Sequence, residues 1–175
     1  MAFWSDVTME PKRQFRFKVT FTGMGRDAVF LAQSADRPVY TISDGTTVHF
    51  LDKEFRFPGK ITWTPIKIKF VDGSTQGTNA SKNSYEYLKT AGWINPLDVG
   101  GTPSTTNLGS ISKGSASFGT RDIIIETITP EGGLIDEWTL RNAFITTVSL
   151  SPLDYKSEDI LTAEYTFRYD WADLK

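Results

Sequence analysis

The sequence of 175 residues contains no cysteine and only one histidine. Without cysteine there are no disulfides, thiolate zinc sites or cysteine nucleophiles, and this composition is typical of proteins made inside cells. No apolar run approaches the roughly 18 residues that a membrane helix requires. The opening segment, MAFWSDVTMEPKRQ, has acidic residues and no apolar core, unlike a signal peptide. We therefore expect the protein to be soluble when it is made.

Net charge is also small, at −2 with a pI of about 5.4. A protein that holds nucleic acid tightly by its phosphates needs a basic face, so this composition disfavours tight phosphate binding. It remains compatible with a protein past which DNA moves without adhering. Hydrophobic residues make up 39% of the chain and aromatic residues 13%. The chain can therefore bury a substantial core, and its length suits a single domain over residues 1–175.

Motifs that carry catalysis or metal binding are absent or stand in the wrong context. His49 is not accompanied by a Gly-x-Ser-x-Gly nucleophile motif, so we interpret it as a structural or surface residue. A Gly-x-Gly-x-x-Ala run at residues 23–28 follows a strand that alternates polar and apolar residues, and the segment after it is broken by proline. We interpret that run as a hairpin turn and not as a dinucleotide site. We expect neither an enzyme nor a metal or cofactor site.

Two segments near the chain ends alternate apolar and polar residues, which is the pattern of half-buried strands. The apolar positions of the first are Phe15, Phe17, Val19 and Phe21. Those of the second are Ala163, Tyr165, Phe167, Tyr169 and Trp171. A row of aromatics also suits base stacking, but stacking usually comes with a positive groove, which the mixed charges here do not supply. We therefore predict that both rows are two walls of one core.

The remaining elements complete a β fold. Further strands are predicted at residues 28–33, 63–70, 122–129 and 137–150, with an extended region over 34–59. A helix is predicted from Asn83 to Ala91, with Glu86 and Gly92 supplying its start and stop signals. The Gly/Ser/Thr-rich tract at 95–119 is predicted to be a loop. These six or seven strands predict a mostly β fold, a two-sheet antiparallel β-sandwich or barrel with one short flanking α-helix.

Four segments, in this order, resemble the tail tube proteins of contractile-tailed bacteriophages. They are an N-terminal arm ending in PKRQFRFKV, the run SADRPVYTISDGTTVHFLDKEFRFPGKITWTPIKIKFVD, the helix SYEYLKTAGW, and the C-terminal stretches EWTLRNAFITTVSL and ILTAEYTFRYDW. In that family an aromatic-Pro-Gly stretch precedes a Trp-containing strand, and a Tyr-Asp-rich strand closes the chain. The resemblance covers most of the sequence, and the tract at 95–119 departs from it as a loop insertion.

The resemblance implies a structural subunit that self-assembles into stacked hexameric rings. The lumen of the rings would conduct DNA during ejection, and their exterior would template a contractile sheath. The implied partners are further copies of the chain, the sheath protein, a baseplate or tube initiator and the tape measure protein, with DNA passing without specific binding. The implied location is the virion tail, assembled in the host bacterial cytoplasm. The alternatives are a tube subunit of a protein-carrying secretion or injection device, a nucleic-acid-binding β-barrel, and a glycan-binding or hydrolytic β-sandwich.

The resemblance also indicates candidate contact residues. Residues 36–57 resemble the family's extended segment that reaches neighbouring subunits, and the N-terminal arm, residues 1–13, carries solitary aromatics. The predicted interface residues are Phe3, Trp4, Arg13, Pro38, Tyr40, Ile42, Val48 and Phe50. Packing within the subunit remains the alternative for both regions. The polar faces of the terminal strands supply the candidate channel-lining residues Arg16, Lys18, Glu164, Arg168 and Asp170.

Overall fold

The computed structural model describes residues 11–22, 32–75, 78–94, 110–120 and 122–175, and within them lie ten strands and two helices. The strands are β1 (Phe17–Phe21), β2 (Ala32–Ala35), β3 (Tyr40–Phe50), β4 (Lys53–Trp63), β5 (Ile66–Val71), β6 (Ile123–Ile128), β7 (Leu134–Arg141), β8 (Phe144–Leu150), β9 (Thr162–Arg168) and β10 (Trp171–Leu174). The helices are α1 (Ala80–Thr90) and α2 (Lys113–Thr120). The predicted mostly β, antiparallel fold is confirmed, with a second helix in addition.

Two antiparallel four-stranded sheets pack face to face. The first has the strand order β1-β6-β7-β10 and the second β2-β5-β9-β8, so the described sheets form an open sandwich and not a closed barrel. One core joins them, with Val19 and Leu140 from the first sheet and Ile68 and Phe167 from the second. The rings of Phe21 and Phe167 meet across the layer, 5.7 Å apart. Alternation along each strand therefore sends apolar residues inward and polar residues to the outer faces.

The aromatic row near the C-terminus belongs to this core, as predicted. Tyr165, Phe167 and Tyr169 are buried, and burial raises the pKa of Tyr165 to about 12. The row ends there, because the chain leaves β9 and Trp171 begins a strand of the other sheet, half exposed. The predicted inward position of Phe15 is also wrong, since this residue precedes β1 and is largely exposed. The alternating pattern therefore assigns one residue too many to the core in each row, Phe15 in the first and Trp171 in the second.

The predicted strand at 137–150 is in fact two strands. Asn142 adopts the left-handed conformation, with φ of 54°, and ends the first of them. β7 pairs within the first sheet and β8 within the second, so the chain crosses between the layers at this turn. The predicted strand at 162–171 divides in the same way into β9 and β10. The pattern of apolar and polar residues in these two segments, 137–150 and 162–171, therefore does not reveal that the chain crosses from one sheet to the other within each of them.

Helix α1 begins earlier than predicted. The side chain of Asn79 accepts a hydrogen bond from the backbone N–H of Lys82 at 2.8 Å and caps the helix. Asp72 accepts a further bond from the backbone N–H of Ala80 at 2.7 Å. The prediction that Asn83 starts the helix is therefore wrong, because Asn79 and Asp72 satisfy the first free N–H groups one turn earlier. Gly92 follows the helix with φ of +109°, as a C-terminal glycine should.

Helix α2 lies in the tract predicted to be a loop, so that prediction is wrong over 113–119. The hydroxyl of Ser112 accepts the backbone N–H of Ser115 at 3.1 Å and caps the helix. Ala116 is buried beside Tyr87 of α1, where a small side chain allows the two helices to approach. The rest of the tract, residues 95–109, and the predicted turn at 23–28 lie outside the described residues.

Candidate assembly interface

The most exposed element of the fold is a long hairpin made of β3 and β4. Its strands have 11 residues each and pair with each other outside the two sandwich sheets. Every residue from Tyr40 to Thr62 is exposed. At about 3.3 Å per residue, the hairpin extends roughly 30 Å. The sequence predicts only an extended region here, so the hairpin is a finding of the structure.

The tip of the hairpin has one apolar and one polar face. Val48 pairs with Phe55, and Phe50 with Lys53, in the antiparallel register. Residues directly opposite each other share a face, and alternation places Phe57 beside Phe55 on that same face. Phe50 is 66% exposed, and its three apolar neighbours are exposed as well. The other face carries polar side chains, namely Thr47, His49, Glu54 and Arg56.

Two glycines let the strands approach closely in the middle of the hairpin. A Cβ on Gly45 would overlap the carbonyl oxygen of Phe57, and one on Gly59 would lie 2.5 Å from the Ser43 hydroxyl oxygen. That hydroxyl donates to the carbonyl of Lys60 and accepts its backbone N–H, at 3.2 and 3.0 Å. The pairing register shifts at this point. A residue with a Cβ at position 45 or 59 would therefore force the backbone to move. We call this narrow middle part of the hairpin, around Gly45 and Gly59, its waist.

Aromatic rings anchor the root of the hairpin to the core. The ring of Trp63 lies 5.4 Å from that of Tyr40 and 5.9 Å from that of the buried Tyr169. The backbone N–H of Thr64 donates to the carbonyl of Val39 at 2.9 Å. The root is thus fixed to the sandwich, whereas the tip presents its apolar face away from the core.

The structure distributes the predicted interface residues unevenly. Four of them lie exposed on the hairpin, namely Tyr40, Ile42, Val48 and Phe50. Pro38 is buried at the root, Arg13 is exposed in the N-terminal segment, and Phe3 and Trp4 lie outside the described residues. Four further apolar residues of the hairpin are exposed and are not in the predicted set, namely Leu51, Phe55, Phe57 and Ile61. The alternation of apolar and charged residues in KEFRF, residues 53–57, indicates that Phe55 and Phe57 lie on the same face of a strand.

A small charged cluster ties the N-terminal segment to the body. Asp136 of β7 is almost buried, and its Oδ2 lies 2.5 Å from the ammonium of Lys12 and 3.8 Å from the guanidinium of Arg37. Burial raises the pKa of Asp136, but hydrogen bonds from Lys12 and Thr127 outweigh it, so the pKa lies below its ordinary value. Arg37 directly precedes Pro38 at the hairpin root. One carboxylate therefore contacts both the N-terminal segment and the root.

The predicted channel-lining residues lie on two different sheets. Lys18 is on the outer face of β1, in the first sheet, and Arg16 precedes that strand. Glu164 and Arg168 are on the outer face of β9, in the second sheet, and Asp170 lies at the corner after it. The outer faces of two packed sheets point in opposite directions. One subunit can therefore offer one of these two sets to a channel, but not both.

Several of these charges also have partners within the subunit. The ion pairs are Lys18–Glu126 at 2.9 Å, Glu164–Lys67 at 2.8 Å and Asp170–Lys113 at 2.7 Å. The guanidinium of Arg16 lies over the ring of Phe15, 5.4 Å from its centre, and Arg168 is exposed. Hydrogen bonds from Lys113 and Asn142 hold the pKa of Asp170 below its ordinary value. Asp170 therefore connects α2 to the end of β9.

Clusters suited to metal binding are not assembled in the described parts of the chain. Among those residues there is no group of three or more His, Asp or Glu side chains that could hold a metal ion. His49 is exposed on the polar face of the hairpin tip. No helix within the described ranges is long and apolar enough to cross a membrane. The exposed apolar face of the hairpin tip makes this element the candidate functional surface.

Comparison with known proteins gives similarity in structure only. No model of a protein family matches the sequence, and no curated protein matches it. Among solved structures, the tube-terminating cap of the anti-feeding prophage is similar with a TM-score of 0.66 and 20% identity, covering 100% of this chain and 99% of that one. The sheath/tube terminator of an extracellular contractile injection system, PVC, is also 20% identical, with a TM-score of 0.62 and coverage of 95% and 97%.

A third structure agrees with these two. The sheath–tube complex of the same PVC system, in its extended state, gives a TM-score of 0.61 at 20% identity and covers 94% of this chain and 91% of that one. Similarity at this level of identity shows the fold. This chain has the fold found in tube and tube-terminator structures of contractile injection systems, over essentially its whole length, and the expected resemblance is confirmed at that level.

Proposed function

We propose that this protein is a structural subunit that self-assembles into stacked rings forming the tube of a contractile, tail-like particle. The observation that carries the proposal is the hairpin of β3 and β4, whose tip presents a row of exposed apolar side chains that no described part of the subunit covers. Isolated exposed apolar residues are ordinary, but a contiguous row of them marks an interaction surface. The shared fold with tube structures indicates that the partner is another copy of the chain.

The strength of the contact suits assembly from many weak links. Burying a whole phenylalanine side chain contributes roughly 1.5–3 kcal/mol, so three half-exposed ones contribute on the order of 3 kcal/mol before the entropic cost of association. A ring repeats the contact in every subunit. Single copies therefore associate weakly, whereas a ring docking onto a ring makes all of its contacts together. In this proposal the rings are hexameric, and sheath, baseplate and tape measure proteins are the further partners.

The contents of the tube are a separate part of the proposal. The sequence resemblance favours a phage tail whose lumen conducts DNA, and the small net charge provides no strong phosphate-binding surface. The second candidate is an injection device that carries protein, which the similarity to contractile injection system structures favours. Purified particles distinguish the two, because a phage tail comes attached to a DNA-filled capsid and its gene lies beside capsid and terminase genes.

The first test is electron microscopy and size-exclusion chromatography of the purified chain, alone and with sheath and baseplate components. We expect rings or tubes of uniform bore. Phe55→Asp places a charge on the apolar face of the hairpin tip and is expected to abolish assembly. Thr47→Asp places the same charge on the polar face and is the matched control. A wild-type protein that stays monomeric at high concentration with all components present overturns the proposal, as does normal assembly of the Phe55 variant.

A further inference from the structure

Lys12 and Arg37 approach the same oxygen atom of Asp136 from two different parts of the chain. The ammonium of Lys12 lies 2.5 Å from Oδ2 and donates a hydrogen bond to it, whereas the guanidinium of Arg37 lies 3.8 Å from that oxygen. The Asp136 side chain is only 12% exposed, but those of Lys12 and Arg37 are 51% and 66% exposed. Either cation can therefore leave and be hydrated, whereas the carboxylate stays in the protein and needs a partner there.

The N-terminal segment, residues 11–15, is attached to the sandwich at one point. All five of its residues are exposed. Among the described residues, the hydrogen bond from Lys12 to Asp136 is the one that joins this segment to either sheet. Regular pairing takes over at Arg16, whose carbonyl accepts the backbone N–H of Ile128 at 3.1 Å. The segment therefore has a single charged attachment and a fixed end where β1 begins.

Arg37 is held beside Asp136 independently of the N-terminal segment. On one side of it, Asp36 accepts the backbone N–H of Lys67 at 3.0 Å through its side chain and donates its own backbone N–H to the Lys67 carbonyl at 2.9 Å. On the other side, Pro38 is buried. The backbone at residue 37 therefore stays in place when the segment leaves, and the attraction between guanidinium and carboxylate remains.

The N-terminal segment also covers a gap between the two sheets. A cavity of about 750 Å³ lies behind it. The other walls of this cavity are β2, through residues 32–35, and β6, through Ile125 and Thr127. The segment thus lies over the space between β1 and β2, which are edge strands of different sheets. Its departure would change the surface on this side of the subunit without breaking a pair of strands.

We propose that the N-terminal segment is releasable, and that Arg37 is a replacement partner that keeps Asp136 paired when Lys12 leaves. A buried carboxylate without any cation would make release very unfavourable, and the second cation removes most of that penalty. The inference rests on the proposed function, since the predicted contact arm, residues 1–13, includes Lys12 and reaches another copy only after release. Assembly therefore uses the released state of the segment.

Melting temperatures of the unassembled protein test the shared carboxylate. Lys12→Gln and Arg37→Gln each leave one cation, so each should lower the melting temperature by less than about 2 °C. The double variant leaves Asp136 with neither cation and should lose at least about twice the sum of the single effects. Adding Asp136→Asn to the double variant removes the buried charge and should restore most of the loss. Additive effects, or no recovery in the triple variant, overturn the role of Arg37.

Limited proteolysis measures release of the segment. Chymotrypsin cleaves after aromatic residues, and Phe15 is the only aromatic residue at positions 11–15. Lys12→Gln should raise the rate of cleavage after Phe15, followed by mass spectrometry, by about two- to fivefold. Lys18→Gln is the matched control, because the Lys18 side chain is 48% exposed and pairs with Glu126 at 2.9 Å, away from Asp136. No acceleration in the Lys12 variant, or equal acceleration in both, contradicts the single attachment.

A cross-link separates this inference from the proposed function. Gln14 of the segment and Gln33 of β2 line the same cavity and are exposed, and the chain has no cysteine of its own. Gln14→Cys with Gln33→Cys, joined by a short bis-maleimide, holds the segment in place and should form no tubes. Gln33→Cys alone, treated with the same reagent, is the control and should form them. Tubes from the cross-linked protein overturn this inference alone. If the wild type never assembles, the proposed function falls and the role in assembly falls with it, whereas the melting and cleavage tests still decide whether the segment is releasable.

Discussion

The hydroxyl oxygen of Tyr87 accepts a hydrogen bond from the backbone N–H of Ile145 at 3.1 Å. The same hydroxyl donates to the carbonyl of Ala116 at 3.0 Å. One buried side chain of α1 thus contacts both α2 and β8, and it attaches the helix pair to the edge of the second sheet. Burial raises the pKa of Tyr87, so the hydroxyl stays protonated and keeps its role as donor.

Tyr87→Phe is expected to lower the free energy of unfolding by about 1–3 kcal/mol, because it removes both hydrogen bonds of this buried hydroxyl, to the backbone N–H of Ile145 and to the carbonyl of Ala116. Urea denaturation followed by tryptophan fluorescence measures the change. Tyr85→Phe, on the exposed face of the same helix, is the control and should cost less than about 0.5 kcal/mol. Equal losses from the two variants would show that the Tyr87 hydroxyl does not attach the helices.

Substitution of a core isoleucine is expected to affect stability, and substitution of a hairpin isoleucine is expected to affect assembly. Ile68 is fully buried, so Ile68→Ala should lower the free energy of unfolding by about 2–5 kcal/mol. Ile61 of the hairpin is 59% exposed, so Ile61→Ala should leave the unfolding of the monomer nearly unchanged and weaken assembly. Thermal unfolding and sedimentation velocity measure the two properties. An Ile61 variant that is strongly destabilised, yet assembles normally, would contradict this division.

The waist of the hairpin provides a backbone test. Gly45→Ala adds a Cβ where the backbone of the opposite strand already lies, so the hairpin should distort. The sandwich does not depend on that contact, so we expect a melting temperature close to that of the wild type and a loss of assembly. Gly114→Ala is the matched control, because a Cβ there meets nothing within 4 Å. Tubes of normal length from the Gly45 variant would show that the waist tolerates distortion.

The lowered pKa of Asp170 predicts how the free energy of unfolding depends on pH. Its pKa in the folded protein is held below the ordinary value of about 3.9 by hydrogen bonds from Lys113 and Asn142. The contribution of the Asp170 carboxylate to stability is therefore complete when the pH is above that ordinary pKa, and it is lost as the pH falls through the pKa of the folded protein. Asp170→Asn should be less stable than the wild type at pH 7, by up to about 1 kcal/mol for this partly exposed pair.

The difference between wild type and Asp170→Asn should vanish at low pH, where the carboxylate is protonated. Melting temperatures measured from pH 2.5 to pH 7 give the comparison. Glu131→Gln, at an exposed turn, is the control and should follow the wild type throughout. A constant difference between wild type and Asp170→Asn across the whole range would exclude the ion pair with Lys113 as its source.

Sequence alone predicts the core better than the topology. Burial is local to a strand, so alternation correctly marks Val19, Phe21, Tyr165 and Phe167 as core. Crossings between sheets depend on where the chain turns, and a turn of one or two residues, as at Asn142, leaves the alternating pattern intact. For the same reason, a strand ending at Arg168 and another starting at Trp171 look like one strand in the sequence.

The candidate interface was predictable in part. The prediction of Tyr40, Ile42, Val48 and Phe50 as contact residues rests on the family resemblance. Periodicity alone does not give it, because an apolar residue on an exposed strand looks the same in sequence as one in a core. Helix α2 was missed because its residues, KGSASFGT, have weak helical propensity. Its stability comes from the Ser112 cap and from packing against Tyr87, and both depend on the folded structure.

The hairpin of β3 and β4 joins the second sheet at one end only, between Ala35 and Ile66. If copies stack through this hairpin, as proposed, every subunit points the same way along the tube. One end of such a tube would present free hairpin tips, and the other end would present the surfaces that receive them. Growth at the two ends would then involve different chemistry, and a protein that caps one end would need to match only one of the two surfaces.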